Sequence, residues 1–198
     1  VDLGEHLVEV VFFVMLLNHF HELRNEPRPM GRITPSHVGG KRGVRHNEIT
    51  VWCDHPWWLG SRVRLEPSIV GDHTITLPIL RSIAKKHGPV ALVHVDAHAD
   101  VNDEMFGEKE THGTVFRRGH EEGLLSPEHV WQIGLRGTGY TAEDFTEAQG
   151  WGFNCVLAPE IWHKSLTPLA EKVCTSIGPD RPVYVTYDID SLDPAYAP

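Results

Sequence analysis

The chain is short of cysteine, of basic charge and of long apolar runs, and each shortage closes a class of function. Its three thiols, Cys53, Cys155 and Cys174, are odd in number and lack the paired spacing of a zinc or redox motif. They read as reduced thiols of an intracellular protein, cytoplasmic or mitochondrial, and not as a disulfide framework. Lysine and arginine number 18 against 27 aspartates and glutamates, a formal net charge of −9. Without a basic patch, nucleic acid and anionic membrane are not expected partners. The longest apolar stretch, Leu7 to Leu17, is interrupted by Glu9 and is too short to span a bilayer. Asp2 and Glu5 stand where a secretory signal would carry basic residues. There is no internal repeat and no low-complexity tract.

What the chain does have is acid and imidazole in alternation. Val95-Asp96-Ala97-His98-Ala99-Asp100 follows the apolar run Val90-Ala91-Leu92-Val93, and Tyr187-Asp188-Ile189-Asp190 follows Val183-Tyr184-Val185. In extended backbone, residues two apart project to one side. Asp96, His98 and Asp100 can therefore converge on one point, and so can Asp188 and Asp190. Such groups on one surface would repel or stay poorly solvated without a cation, so a metal is the simplest explanation. An oxygen-rich set with imidazoles and no thiolate suits manganese better than structural zinc.

A lone Asp-x-His-x-Asp also fits a solvated loop, so the repetition matters more than either motif. A calcium loop starting at Asp96 is excluded, because Val101 and Gly107 fall where that loop needs Gly and Glu. Gly71-Asp72-His73-Thr74 adds another imidazole candidate at the mouth of a helix. Three motifs, each at a strand-to-helix junction, match the rule that open parallel sheets build sites at the carboxyl ends of their strands.

These motifs resemble the signatures of the ureohydrolases, the family of arginase, agmatinase and their guanidino-acid relatives. The resemblance is carried by Gly71-Asp72-His73, by Asp96-Ala97-His98-Ala99-Asp100 and by Asp188-Ile189-Asp190-Ser191-Leu192-Asp193-Pro194. Between them, Gly107-Glu108-Lys109, His112-Gly113-Thr114-Val115-Phe116-Arg117-Arg118 and Gln132-Ile133-Gly134-Leu135-Arg136-Gly137 look like the agmatinase and guanidinobutyrase branch more than arginase. The resemblance covers residues 71–198.

Residues 1–70 read differently. They hold eight basic and eight acidic residues, so residues 71–198, with 10 against 19, carry the whole net charge. Turn-formers crowd them, as in Asn25-Glu26-Pro27-Arg28-Pro29 and Gly39-Gly40-Lys41-Arg42-Gly43, and no periodicity is sustained. Val70 stands where the family's first signature would begin with glycine. Residues 1–70 are expected to be a non-homologous or misjoined segment, and 71–198 a partial ureohydrolase catalytic domain.

Within that domain strand and helix alternate. Ile75–Lys86 reads as a helix, with Pro78 tolerated in its first turn and His87-Gly88-Pro89 as its stop. Val90–Val95 reads as a buried strand, Thr114–Glu122 as helix, His129–Ile133 as strand and Thr141–Gln149 as helix. Phe153–Leu157 is strand-like, Leu166–Ile177 helical, and Pro182–Tyr187 the last strand. This order predicts an α/β fold, a three-layer αβα with a mostly parallel sheet, arginase-like but truncated, with one sheet edge left exposed.

The resemblance also implies roles. Asp96 and Asp188 would each bridge two manganese ions, with His73 and Asp100 completing one ion's ligands and His98 and Asp190 the other's. Asp100 would in addition accept a hydrogen bond from the attacking water, and His112 would shuttle a proton to the leaving amine. His94 reads as a satisfied core histidine, Asp193 as a turn residue, and Arg136 as a loop tie. Asn102 reads equally as a substrate contact and as an ordinary loop residue. His19, His21, His55 and Cys53 are assigned no chemistry.

The implied activity is manganese-dependent hydrolysis of a linear guanidino compound, agmatine to putrescine and urea, with the intact family member expected to be a homo-oligomer. Two alternatives stand beside it: a guanidinobutyrase-type hydrolase of a guanidino acid, and a non-catalytic metal-binding fragment. The family's substrate loop and guanidinium-gripping Glu would lie beyond Pro198, so residues 1–198 alone are expected to hydrolyse little.

Overall fold

Our computed structural model describes residues 48–53, 68–70, 73–137, 144–178 and 181–193, the two short segments before residue 71 as backbone only. A six-stranded sheet runs β1 (Glu48–Cys53), β2 (Ser68–Val70), β3 (Val90–Val95), β4 (Leu125–Leu135), β5 (Asn154–Leu157) and β6 (Val183–Asp188). Its spatial order is β2-β1-β6-β3-β4-β5. β6, β3, β4 and β5 are mutually parallel, while β1 runs antiparallel to both β6 and β2. β3 and β6 are buried along their whole length, as Val-rich parallel strands with both faces covered should be.

The helices α1 (Thr76–His87), α2 (Val115–Glu121), α3 (Asp144–Gly150), α4 (Ala158–Ile161) and α5 (Thr167–Ile177) supply the cover. On one face, Ala170, Val173, Cys174 and Ile177 of α5 pack on Ala91, Val93, Val95, Val183, Val185 and Trp131. On the other, Leu77, Leu80 and Ile83 of α1 with Val115 and Phe116 of α2 pack on Val90, Leu92, Val130 and Tyr184. This is the three-layer α/β arrangement read from the sequence.

The differences have local causes. β4 starts at Leu125, before the expected His129, because a register shift between Val90 and Leu92 absorbs Pro127 at the strand's start. A second shift, between Ile133 and Leu135, coincides with Gly134 at φ +94°. α1 is entered through a 3-10 turn, His73–Ile75, and ends where Gly88 takes φ +81° and donates its N–H to the Ala84 carbonyl. The single turn of α4 was not anticipated. β1, which was not expected, lies antiparallel along β6 from Glu48↔Asp188 to Cys53↔Val183, so that β2 and β5 are the outer strands of the described sheet. The expectations for residues 1–47 and Thr141–Ala142–Glu143 fall outside the described residues.

Candidate metal centre

At the carboxyl ends of β3 and β6 the alternating acids leave their strands and meet the turn after β2. His73 enters from the turn His73–Ile75, Asp96 from the end of β3, and His98 and Asp100 from the loop beyond it. Asp188 ends β6, and Asp190 sits in the 3-10 turn Ile189–Ser191. Asp100 adopts the left-handed region at φ +52°, a conformation that Asp tolerates better than bulky residues and that aims its carboxylate back at His73.

Five of the six expected ligands form two groups that share one carboxylate, and Asp188 borders the first. His73 Nδ1 lies 2.8 Å from Asp100 Oδ2, 3.5 Å from Asp96 Oδ2 and 3.8 Å from Asp188 Oδ2. His98 Nδ1 lies 3.0 Å from Asp190 Oδ2 and 3.5 Å from Asp96 Oδ1. Thus one oxygen of Asp96 faces each group. Donor atoms of His73, Asp96 and Asp100, and of Asp96, His98 and Asp190, fall within 4.8 Å of one another. His73, Asp96, Asp100 and Asp188 are buried, while His98 is open to solvent.

Burial sets the electrostatics. Loss of solvent pushes the Asp96 carboxyl up to about 6, against the pull of His98 and His73. Burial and the neighbouring Asp96 charge push Asp188 up to about 6 as well. Burial works the same way on Asp190, yet its hydrogen bond with His98 outweighs this and holds it well below the ordinary carboxylate range. Hydrogen bonds to Asp190 and then Asp96 raise His98 to about 10. Four carboxylates crowd two imidazoles, two of the acids are forced toward protonation, and among the described residues no thiol joins either group. That donor set and that excess of buried negative charge fit divalent cations.

Other residues lock the ligands in place, and the sequence reading identified one of them. Arg136 Nη2 donates to the Asp190 and Leu192 carbonyls at 2.8 and 2.7 Å, so it is a loop tie as expected. Asn102 spends its amide on the Gly113 carbonyl at 3.0 Å, which supports the loop rather than a ligand. Asp193 is exposed. Thr186 was missed: its Oγ1 lies 3.1 Å from His73 Nε2 and fixes the ring with Nδ1 toward the acids. The signal was available, since Thr186 is two residues before Asp188 on the same strand face. Gly137 was also missed as a site residue. A Cβ there would come within 2.5 Å of His98 Nε2 and 2.8 Å of the Ala97 carbonyl.

His112 stands apart from the six. It is exposed on the 3-10 turn His112–Thr114, which packs against the His73–Ile75 turn, and its ring centroid is 6.4 Å from that of Phe106. Thr114 fixes this turn by accepting the Thr111 N–H at 2.9 Å and donating to the Lys109 carbonyl at 2.8 Å.

The profile of the arginase family matches residues 67–198. The chain belongs to the arginase family. Over 128 residues it is 64% identical to a guanidinobutyrase of Pseudomonas aeruginosa, covering 65% of this chain and 40% of that protein. A mitochondrial agmatinase of Gallus gallus is 55% identical over 128 residues, covering 65% and 37%. Among solved structures, the proclavaminate amidino hydrolase of Streptomyces clavuligerus is 40% identical with a TM-score of 0.55, covering 59% of this chain and 38% of that one. This arginase-family chain thus spans about two-fifths of the length of the relatives it matches. The matched stretch includes β2, four residues before the resemblance read at Gly71, and excludes β1. No described helix is long and apolar enough to cross a membrane.

Proposed function

We propose that the matched region is the metal-binding half of a hydrolase that splits a linear guanidino compound into urea and an amine. The observation that carries this is Asp96, whose two oxygens face two separate His–Asp groups. His73, Asp100 and Asp188 would hold one manganese ion, His98 and Asp190 the other, with Asp96 shared between them and Asp188 reaching across. Two such ions, held by these residues, would supply a water of lowered pKa as the nucleophile for the weakly electrophilic guanidinium carbon. The chain's own groups do the rest. Asp100, 2.8 Å from His73, would accept a hydrogen bond from that water. His112, outside the ligand set, delivers a proton to the departing amine.

The 64% identity to a guanidinobutyrase supports a guanidino acid such as guanidinobutyrate as substrate. Agmatine is the second reading, supported by the 55% identity to an agmatinase. The test is a graft: residues 71–198 replace the matching stretch of the Pseudomonas guanidinobutyrase, and urea release is measured with guanidinobutyrate and with agmatine. A folded, manganese-loaded graft that releases no urea from either would sink the proposal.

Metal uptake should be coupled to protons. Binding needs carboxylates and neutral imidazole, whereas His98 keeps its proton up to about 10 and Asp96 and Asp188 keep theirs up to about 6. Affinity for manganese is therefore expected to rise with pH. Loading should release about one proton at pH 7, from His98, and more at pH 5. Calorimetry in buffers of different ionisation enthalpy checks this, and identical heats in all of them would contradict it.

Gly137→Ala is expected to drive the new methyl into His98 and to lower bound manganese from two ions per chain toward one. Metal analysis of the dialysed protein is the measurement. Full loading of Gly137→Ala would mean that His98 is not a ligand or that its loop yields freely.

A further inference from the structure

Directly beneath the candidate ligands, one register of the sheet is polar. His94 on β3 pairs with Thr186 on β6 and with Gln132 on β4, and all three side chains are fully buried. Buried polar groups in the middle of a Val-rich sheet are costly unless paired, so their hydrogen bonds define what they do. Gln132 Nε2 lies 2.6 Å from the Ala99 carbonyl, which can only accept, so that atom is the amide nitrogen. The same nitrogen is 3.2 Å from His94 Nδ1, which must therefore accept. His94 then carries its proton on Nε2 and donates it to Asp96 Oδ2 at 2.8 Å. The other oxygen, Asp96 Oδ1, accepts the His98 backbone N–H at 2.7 Å. Each oxygen of the shared carboxylate thus has one lone-pair direction held by a fixed donor, which leaves the other directed at its own His–Asp group.

His94 is close enough to His73, Asp96 and Asp100 to pass for a ligand itself. Both its ring nitrogens, however, are engaged, one by Gln132 and one by Asp96. We propose that His94, held in a single tautomer by Gln132, is a positioning residue that orients Asp96 so that both metal groups can be filled together. This rests on the reading of the six residues as ligands for two divalent ions.

The test is manganese binding by the 198-residue chain, followed by calorimetry and by electron paramagnetic resonance, in which two ions sharing a carboxylate give an exchange-coupled signal. Wild type is expected to bind two coupled ions. His94→Leu should weaken binding by about 10- to 100-fold, as loss of a ligand's hydrogen-bond partner does, and should replace the coupled signal by that of isolated manganese. His94→Gln, which can place an amide N–H near Asp96 Oδ2, should recover most of the affinity and the coupling. Gln132→Met leaves His94 in place and frees its tautomer, and it should weaken binding about 10-fold, at the lower end of that range. It serves as the deciding variant if far-UV circular dichroism shows His94→Leu to be unfolded.

Wild-type affinity and coupling in folded His94→Leu, or in Gln132→Met where that variant decides, would overturn the inference. So would His94→Gln losing one whole ion, which would make His94 a ligand. Failure of the wild type to take up two ions would overturn the metal reading itself, a result distinguishable from either.

Discussion

Asp96→Ala is expected to abolish binding of both manganese ions, while His73→Ala and His98→Ala each abolish one. Removal of a hydrogen-bond partner behind a ligand costs about 10- to 100-fold in affinity, so loss of a carboxylate shared by two ions should exceed 100-fold at both. Asp96→Asn should do little better. Both Asp96 oxygens already face N–H donors, from His94 and from the His98 backbone. An amide must turn its NH2 toward one of them, so no orientation satisfies both. A carboxyl raised to about 6 favours the fold at low pH and loses that advantage as pH rises through 6. At pH 7 removal of the buried charge relieves its desolvation but strands the His94 and His98 N–H donors, so melts of the metal-free proteins are needed to separate loss of a ligand from loss of fold. Equilibrium dialysis with metal analysis, run beside thermal melts, makes the comparison. Retention of one tightly bound ion by Asp96→Ala would show that the two groups do not depend on a common carboxylate.

Much of this centre was legible because strand geometry is simple. Alternation after an apolar run put Asp96, His98, Asp100, Asp188 and Asp190 at one end of the sheet. But β3 stops at Val95, and the loop beyond it, with Asp100 at φ +52°, sends His98 to Asp190 and Asp100 to His73 rather than to one point. His73 needed more, since only the topology sets the His73–Ile75 turn against the ends of β3 and β6. The supporting layer was harder still. Thr186 and His94 lie two residues before Asp188 and Asp96, and the same period of two could have pointed to them. Gln132 is on a different strand, and its place beside His94 depends on the β3–β4 register, which a shift near Val90 alters. Gly137 matters through a Cβ it does not have, and a close approach of two loops leaves no local pattern. In the fold, the strands and helices from Ile75 onward follow from periodicity, Gly88 and the buried Val runs. β1 was passed over because Glu48-Ile49-Thr50-Val51 is a short run among turn-formers. Its pairing with β6 is a long-range contact that no local reading supplies.

His112→Asn, made in the graft of residues 71–198, is expected to lower urea turnover by about 10²- to 10⁴-fold while leaving two manganese ions bound, the range associated with loss of a general acid. The geometry separates the two readouts. Among the described residues His112 belongs to neither cluster of ligand atoms, so its removal should not empty them. Its turn is held without its imidazole, by Thr114 through the Thr111 N–H and the Lys109 carbonyl, and by Asn102 through the Gly113 carbonyl. Asparagine should therefore occupy the same backbone with a side chain of similar reach but no exchangeable proton near neutral pH. The His112–Thr114 turn packs on the turn that carries His73, and that proximity of the two turns supports the assignment of the proton to His112. Steady-state urea release and metal content are measured on the same preparation. If the two fall together, His112 is a ligand or a structural residue. If neither falls, the proton comes from elsewhere, and the assignment of His112 is wrong.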